Sequence, residues 1–415
     1  MVNRADQQST SQARIDSLDV LRGVAILGIL VMNIQAFAMV SAAYVNPTVA
    51  GPMTGSDFWL WLVAHVGFEN KFLSIFSALF GAGLVLMAER AGATRGGAWR
   101  RHGRRMGILA LIGLAHAYLI WYGDILFVYA LIGMLAFGFR HASVRRLLVA
   151  AAMLYLVPTV FALVMTVLLN AMPAADYQAL ADEVWQPSAS AIASQEAAYR
   201  GGWLAQMPQR IEDAATAHLW LLPTELGWRV LALMLAGMAA YRSGLLTGAW
   251  HVRTYARTAA IGFGLGVPLA LAGVAFNEAT GWQMATSMYL GAELNALAAP
   301  LVALGWTGLA LMVLQRGWLR GLAGRLRAVG RTALSSYLLT SVLCTVIFYG
   351  HGLGLFGQLD RLEQKLVMVL VWLVLLSVAP AWLRRFRMGP VEWLWRWGVY
   401  GDRPPLVRSS ATANG

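Results

Sequence analysis

The chain has 415 residues, 59% of them hydrophobic and only 13% charged. An ordinary soluble domain has roughly 45–50% apolar and about 25% charged residues, so a water-soluble globule is excluded and the bilayer must be the solvent. The formal net charge of +12 rests on 32 basic residues, of which only Lys71 and Lys365 are lysines, and the arginines gather at the ends of apolar segments. That pattern belongs to membrane topology rather than to a phosphate groove, so no nucleic-acid partner is expected. A single cysteine, Cys344, rules out an intramolecular disulfide and a cysteine-built structural metal site.

Taken in chain order, the apolar segments predict an all-α polytopic membrane protein of about ten spanning helices. They lie near residues 19–40, 71–88, 106–121, 122–139, 147–170, 218–240, 259–276, 284–314, 332–349 and 366–383. Residues 1–18 lack a signal-peptide cleavage pattern and read as a cytoplasmic segment before a retained first helix. The spans divide into an N-terminal half over residues 19–170 and a C-terminal half over 218–386. Between them, residues 171–217 form one large outer loop, either short amphipathic helices over an outward cavity or a linker. The tail over residues 387–415 carries EWLWRW and is expected at the cytoplasmic interface, where indole and guanidinium groups sit between lipid and water.

Arginines in alternate connections set the orientation: Arg4 and Arg14, then Arg90 to Arg105, Arg140 to Arg146, Arg242 to Arg257, Arg316 to Arg331 and Arg384 to Arg387 fall on one side. The opposite connections are acidic, from Asp57 to Glu363. The positive-inside rule then makes both termini cytoplasmic.

Ionisable residues inside spans cost on the order of 2.5–3.5 kcal/mol each, so each needs a partner or a function. Asp19 and Arg22 are three apart on one face, either an ion pair at the helix start or part of a site. Asn33, eleven residues beyond Arg22, points along nearly the same face, where a lone Asn also serves as helix–helix glue. His65 and Glu69 are four apart where an amphipathic approach turns into the second span, and Lys71 follows. A carboxylate beside an imidazole orients it, while the alternative is an interfacial belt of snorkelling charges. His116 and Asp124 flank the end of the third span. His116 is either hydrogen-bonded to a neighbour or a catalytic base, and Asp124 also fits a helix N-cap. Glu225 and Arg229 are four apart after Pro223, and Glu293 stands alone in the eighth span. Glu69, Lys71, His116, Asp124, Glu225, Arg229 and Glu293 agree on one depth in the outer half of the bilayer, which predicts a polar cavity opening outward, above the Asp19–Arg22 pair, that holds an acceptor or a transported solute. No nucleotide-binding, metal-binding or hydrolase-elbow motif is present, so no tightly bound cofactor or metal is expected. The glycines of FGAG (residues 80–83) and GFGLG (262–266) read as close helix contacts.

Five segments together resemble a known family: RIDSLDVLRGVAILGILVMNI (14–34), KFLSIFSALFGAGLVL (71–86), RRMGILALIGLAHAYLIWYGDILFVYALIG (104–133), GRTALSSYLLTSVLCTVIFYGHGLGLFG (330–357) and GPVEWLWRW (389–397). They look like the YeiB family of bacterial inner-membrane proteins, with a C-terminal domain of unknown function. The opening LDVLRG and its apolar run are more distantly similar to the transmembrane acyltransferase superfamily, which includes heparan-α-glucosaminide N-acetyltransferase. In the glycan-decorating branch ten residues separate that Arg from a His; here Arg22 is followed at that spacing by Asn33, which is similar to the heparan-type branch. That branch has its catalytic His before the second span, where His65 is the nearest counterpart, with a spacing that departs from the pattern. The resemblance implies transfer of an acyl group from cytoplasmic acyl-CoA to a glycan-like hydroxyl or amine on the outer side. His65 or His116 would serve as base, oriented by Glu69 or Asp124, with Arg22 and Asn33 positioning the donor. The rival reading is a transporter or transport-associated protein whose buried carboxylates and histidines carry protons or bind a solute. A homodimer is compatible with either.

Overall fold

A computed structural model describes residues 4–51, 53–90 and 95–408. The extreme ends of the expected N-terminal segment and C-terminal tail, residues 1–3 and 409–415, lie outside the described residues, as do the side chains of Arg4, Arg14 and Arg90. The described chain is helical, and its β-structure is an isolated bridge between Phe386 and Val407.

Helix α1 (Arg4–Ala38) leads through the short α2 (Ser41–Val45) to α3 (Gly55–Gly67), α4 (Lys71–Arg90), α5 (Arg95–Leu119) and α6 (Leu126–Phe137). Next come α7 (Val144–Ala171), α8 (Ala174–Val184), α9 (Ala189–Arg200) and α10 (Met207–Thr216), which continues through a π-helical stretch, Ala217–Leu226, into α11 (Gly227–Arg242). The C-terminal part comprises α12 (Val252–Ala279), the single turn α13 (Met284–Thr286), α14 (Ala292–Gln315), α15 (Arg320–Arg331), α16 (Ala333–Phe348), α17 (Arg361–Arg385) and α18 (Pro390–Tyr400).

Among the described residues, seven helices are long and apolar enough to cross a bilayer, and up to eight if the α15–α16 pair, bent by 91°, counts as one span. Of the ten expected spans, these helices bear out seven or eight. Helix α6 has 12 residues, about 18 Å of rise against a hydrocarbon core of about 30 Å. The first half of α5, RGGAWRRHGRR, is basic, which leaves only its second half apolar. The expected third and fourth spans are therefore the two arms of a short apolar hairpin. The expected second span is longer than predicted: α3 and α4 together form one 35-residue candidate, Gly55–Glu89, interrupted at Asn70, whose φ is 60°.

That interruption lies beside α1. A Cβ built on Gly28 would fall 2.2 Å from the Phe72 ring, and Gly28 is midway along the candidate span Asp16–Ala38. The start of α4 therefore packs against the middle of α1. Close helix contacts recur where the glycine motifs predicted them. A Cβ on Gly81 would meet the Met234 carbonyl of α11 at 2.0 Å, and Gly262 and Gly266 lie against α14, whereas Gly83 and Gly264 face open space.

The two ends of the bundle differ chemically. At one end Arg105 of α5 stacks on Trp395 of α18 at 4.4 Å, Arg327 of α15 pairs with Asp16 at 3.4 Å, and Arg242 reaches the carbonyls of Arg140 and Ala142. At the other, α8–α10 are tied down by backbone acceptors: Asn46 donates to the Trp185 carbonyl at 3.0 Å, Gly350 to that of Tyr199 at 2.9 Å, and Trp203 to that of Leu119 at 2.9 Å. The stretch read as a loop is thus mostly helix docked on the bundle.

Candidate functional site

The site begins at the arginine-rich end. A Cβ on Gly330 would fall 1.8 Å from the Asp19 carbonyl oxygen, so this glycine lets the corner between α15 and α16 rest directly on α1 and brings Arg331 beside Arg22. Arg22 is held by Asp19 at 2.7 Å, three residues away on α1 as the spacing predicted. Together with Arg105 these arginines line a cavity of about 260 Å³ with mainly apolar walls that include Phe76, Phe80, Leu109 and Tyr129. Glu392 and Trp395 of α18 also line it. The Glu392 carboxylate accepts the N–H groups of Leu334 at 2.7 Å and Ser335 at 3.1 Å, so α18 caps the N-terminus of α16. Burial pushes the Glu392 carboxyl above the ordinary glutamate range, against the lowering effect of these bonds.

Tyr337 of α16 also lines this cavity, and its ring centroid lies 5.1 Å from that of His116. His116 Nδ1 is 2.8 Å from Asp124 Oδ1, and both side chains are buried. Asp124 Oδ2 accepts the Phe127 N–H at 2.7 Å, so the carboxylate also caps the start of α6. Both sequence readings of Asp124 therefore describe one carboxylate with two oxygens. Among the described residues, His116 Nε2 is buried without a hydrogen-bond partner. A ring fixed through one nitrogen, with the other bare, is arranged as a proton acceptor.

His65, Glu69 and Lys71 form a separate network at the break between α3 and α4. The four-residue spacing brings His65 Nδ1 onto Glu69 Oε2, and Trp61 stacks on the imidazole with centroids 4.6 Å apart. Lys71 Nζ donates to the His65 carbonyl at 2.8 Å and to Asn295 Oδ1, while Asn295 Nδ2 reaches Glu69 Oε2 at 3.2 Å. The buried ammonium thus caps the C-terminal end of α3, where a cation is favoured.

A third network lies across α14. Arg229 Nε is 3.2 Å from Glu225 Oε1, and its NH2 is 2.5 Å from Glu293 Oε2, while Glu293 Oε1 accepts from Thr159 at 2.5 Å. Glu293 is therefore not alone: its partner is on a helix 64 residues away in the chain. Asn33 is half-buried on α1 and takes no part in these networks. The residues expected to line one cavity pair in three separate groups, of which the His116–Asp124 pair is buried and the Arg229 group keeps Glu225 exposed. The cavity described above opens at the arginine-rich end. Among the described residues no group of three or more His, Cys, Asp or Glu side chains is placed to hold a metal ion.

Sequence reasoning missed Arg105, Arg331, Tyr337 and Glu392 as lining residues. The two arginines were counted as topology signals, yet Tyr337 and Glu392 stand in the quoted segments GRTALSSY and GPVEWLWRW.

Comparison with known proteins supports the family. The chain is 36% identical over 382 residues to the uncharacterized protein YeiB of Escherichia coli strain K12, covering 92% of this chain and 94% of that protein. The chain belongs to the YeiB family. Another relative, the uncharacterized protein YxaH of Bacillus subtilis strain 168, is 30% identical over 418 residues, covering 97% and 98% of the two chains. Residues 240–402 match the family model described as a protein of unknown function, DUF418. Within this YeiB-family chain that match includes Arg331, Tyr337 and Glu392, while Arg22, His116 and Asp124 lie before it. No solved structure matches the chain.

Proposed function

We propose that this YeiB-family protein is a membrane-embedded acyltransferase that moves an acyl group from acyl-CoA to a hydroxyl or amine of a glycan-like acceptor. The observation that carries the reading is the cavity that begins among Arg22, Arg105 and Arg331 and ends on Tyr337, whose ring packs on His116. Guanidinium groups suit the phosphates of CoA, and apolar walls suit its pantetheine arm and acyl chain. By the positive-inside rule the arginine-rich end faces the cytoplasm, where acyl-CoA resides, with both termini on that side of the bacterial inner membrane.

In this mechanism His116 Nε2 takes the proton of the acceptor as its oxygen or nitrogen attacks the thioester carbonyl carbon. The C–S bond then breaks, and the imidazolium returns the proton to the leaving thiolate. Asp124 holds the ring and balances its transient charge. His65, whose ring stacks on Trp61 and whose Nδ1 meets Glu69 and Asn295, is a structural residue in this reading.

A second reading rests on the interrupted span: a helix break lined by Glu69 and Lys71 is the device by which discontinuous helices bind solutes in transporters. One experiment separates the two. Purified protein is titrated with acyl-CoA by thermal shift and assayed for CoA release, with His116→Gln and His65→Gln in parallel. Acyl-CoA stabilisation with release abolished only in His116→Gln is the expected result. No stabilisation and no release at any chain length would remove the acyltransferase and favour transport.

A further inference from the structure

The cavity and the His116–Asp124 pair do not meet; a phenol ring lies between them. Tyr337 is 8% exposed, and its hydroxyl donates to the Gly123 carbonyl at 3.3 Å and accepts the Ile125 N–H at 3.3 Å. These two residues flank Asp124, so the ring is pinned to the same turn that carries the carboxylate. The other lining tyrosine makes a shorter bond. Tyr129 shares a 2.7 Å hydrogen bond with Ser77 and packs edge-on against Phe80 at 5.2 Å. Of the two tyrosines lining this cavity, Tyr337 is therefore held by the longer, weaker bonds.

We infer that Tyr337 is a gate: its ring closes the inner end of the cavity, and only when it swings away can a group entering from the arginine-rich end reach His116 Nε2. The inference rests on the acyltransferase reading for its purpose but not for its geometry. A closed ring keeps water in the cavity from the buried base, which protects a thioester from hydrolysis before an acceptor is bound. It also limits how far a long acyl chain can advance.

The test is carbethoxylation of His116 by diethylpyrocarbonate on the purified full chain, read by peptide mapping, with melting temperature as a control for folding. Tyr337→Ala is expected to raise the rate of His116 modification about tenfold by leaving the site open. Tyr337→Phe, which keeps the ring, should stay close to the parent rate. Tyr337→Leu provides an intermediate opening should the alanine variant fail to fold. Added CoA should slow modification in the opened variants by occupying the route. Equal rates in the parent chain and Tyr337→Ala would overturn the gate. So would a Tyr337→Phe rate matching Tyr337→Ala, since the hydrogen bonds and not the ring would then protect His116. If the labelling pattern holds but the parent chain neither binds nor turns over acyl-CoA, the gate stands and the acyltransferase reading falls.

Discussion

His116 Nδ1 lies 2.8 Å from Asp124 Oδ1, and the second oxygen of the same carboxylate accepts the Phe127 N–H at 2.7 Å. One side chain thus orients a buried imidazole and starts a helix, and the two roles separate by mutation. Asp124→Asn keeps a good cap but offers the ring a poorer acceptor, so CoA release should fall by about 10²–10⁴-fold with little change in melting temperature. Asp124→Ala should lose the same activity and about 1 kcal/mol of stability as well. An active Asp124→Asn enzyme would remove this carboxylate from the mechanism.

Lys71 has a structural prediction of its own. Its ammonium holds the His65 carbonyl and Asn295 beside Glu69 in the middle of the bundle. Replacing it with Met leaves the His65 carbonyl and Asn295 Oδ1 without their donor, and Lys71→Met should be destabilised by about 1–3 kcal/mol. The double variant Glu69→Gln with Lys71→Met should recover part of that loss, because the two residues share one network. Unfolding in detergent measures both, and strict additivity would show that the ions do not compensate each other.

The arginines at the cavity mouth should act on binding rather than on chemistry. Arg331→Ala is expected to weaken CoA binding about tenfold, the equivalent of about 1.4 kcal/mol, typical of one charge-assisted contact. Its binding should also depend less steeply on salt than that of the parent chain. Isothermal titration at two ionic strengths checks this, and unchanged affinity would move the phosphates away from Arg331.

Glu392 links stability to pH. Its carboxyl titrates above the ordinary glutamate range because it is buried, so the folded chain holds this proton more tightly than the unfolded chain does. The sign follows: stability from this group is full below the ordinary glutamate range and is lost as pH rises through the elevated value. Melting temperatures of the parent chain and Glu392→Gln, measured from pH 4 upward, should therefore converge or cross, with the parent losing stability relative to the variant as pH increases through that window. A constant offset across the range would mean that the carboxylate is not shifted.

The sequence by itself determined that the chain is a helical membrane protein, because a 13% charged composition and long uncharged tracts leave the bilayer as the only solvent, and its motif segments carried the resemblance to the YeiB family. It also determined the local pairs, Asp19 with Arg22, His65 with Glu69 and Glu225 with Arg229, since helical periodicity alone sets contacts three and four residues apart. Hydropathy could not decide how many helices cross: it cannot tell a span from two arms of a short hairpin such as α5 and α6, nor see the interruption at Asn70. Contacts across the chain were decided only by tertiary structure. Glu293 meets Arg229 across 64 residues, Glu392 caps a helix 58 residues earlier, and Tyr337 reaches the Gly123 carbonyl over 214 residues. Each depends on helices packed closely enough to bury polar groups together, as at the bare Cα of Gly330 on α1, and pattern within a helix carries no record of its neighbour.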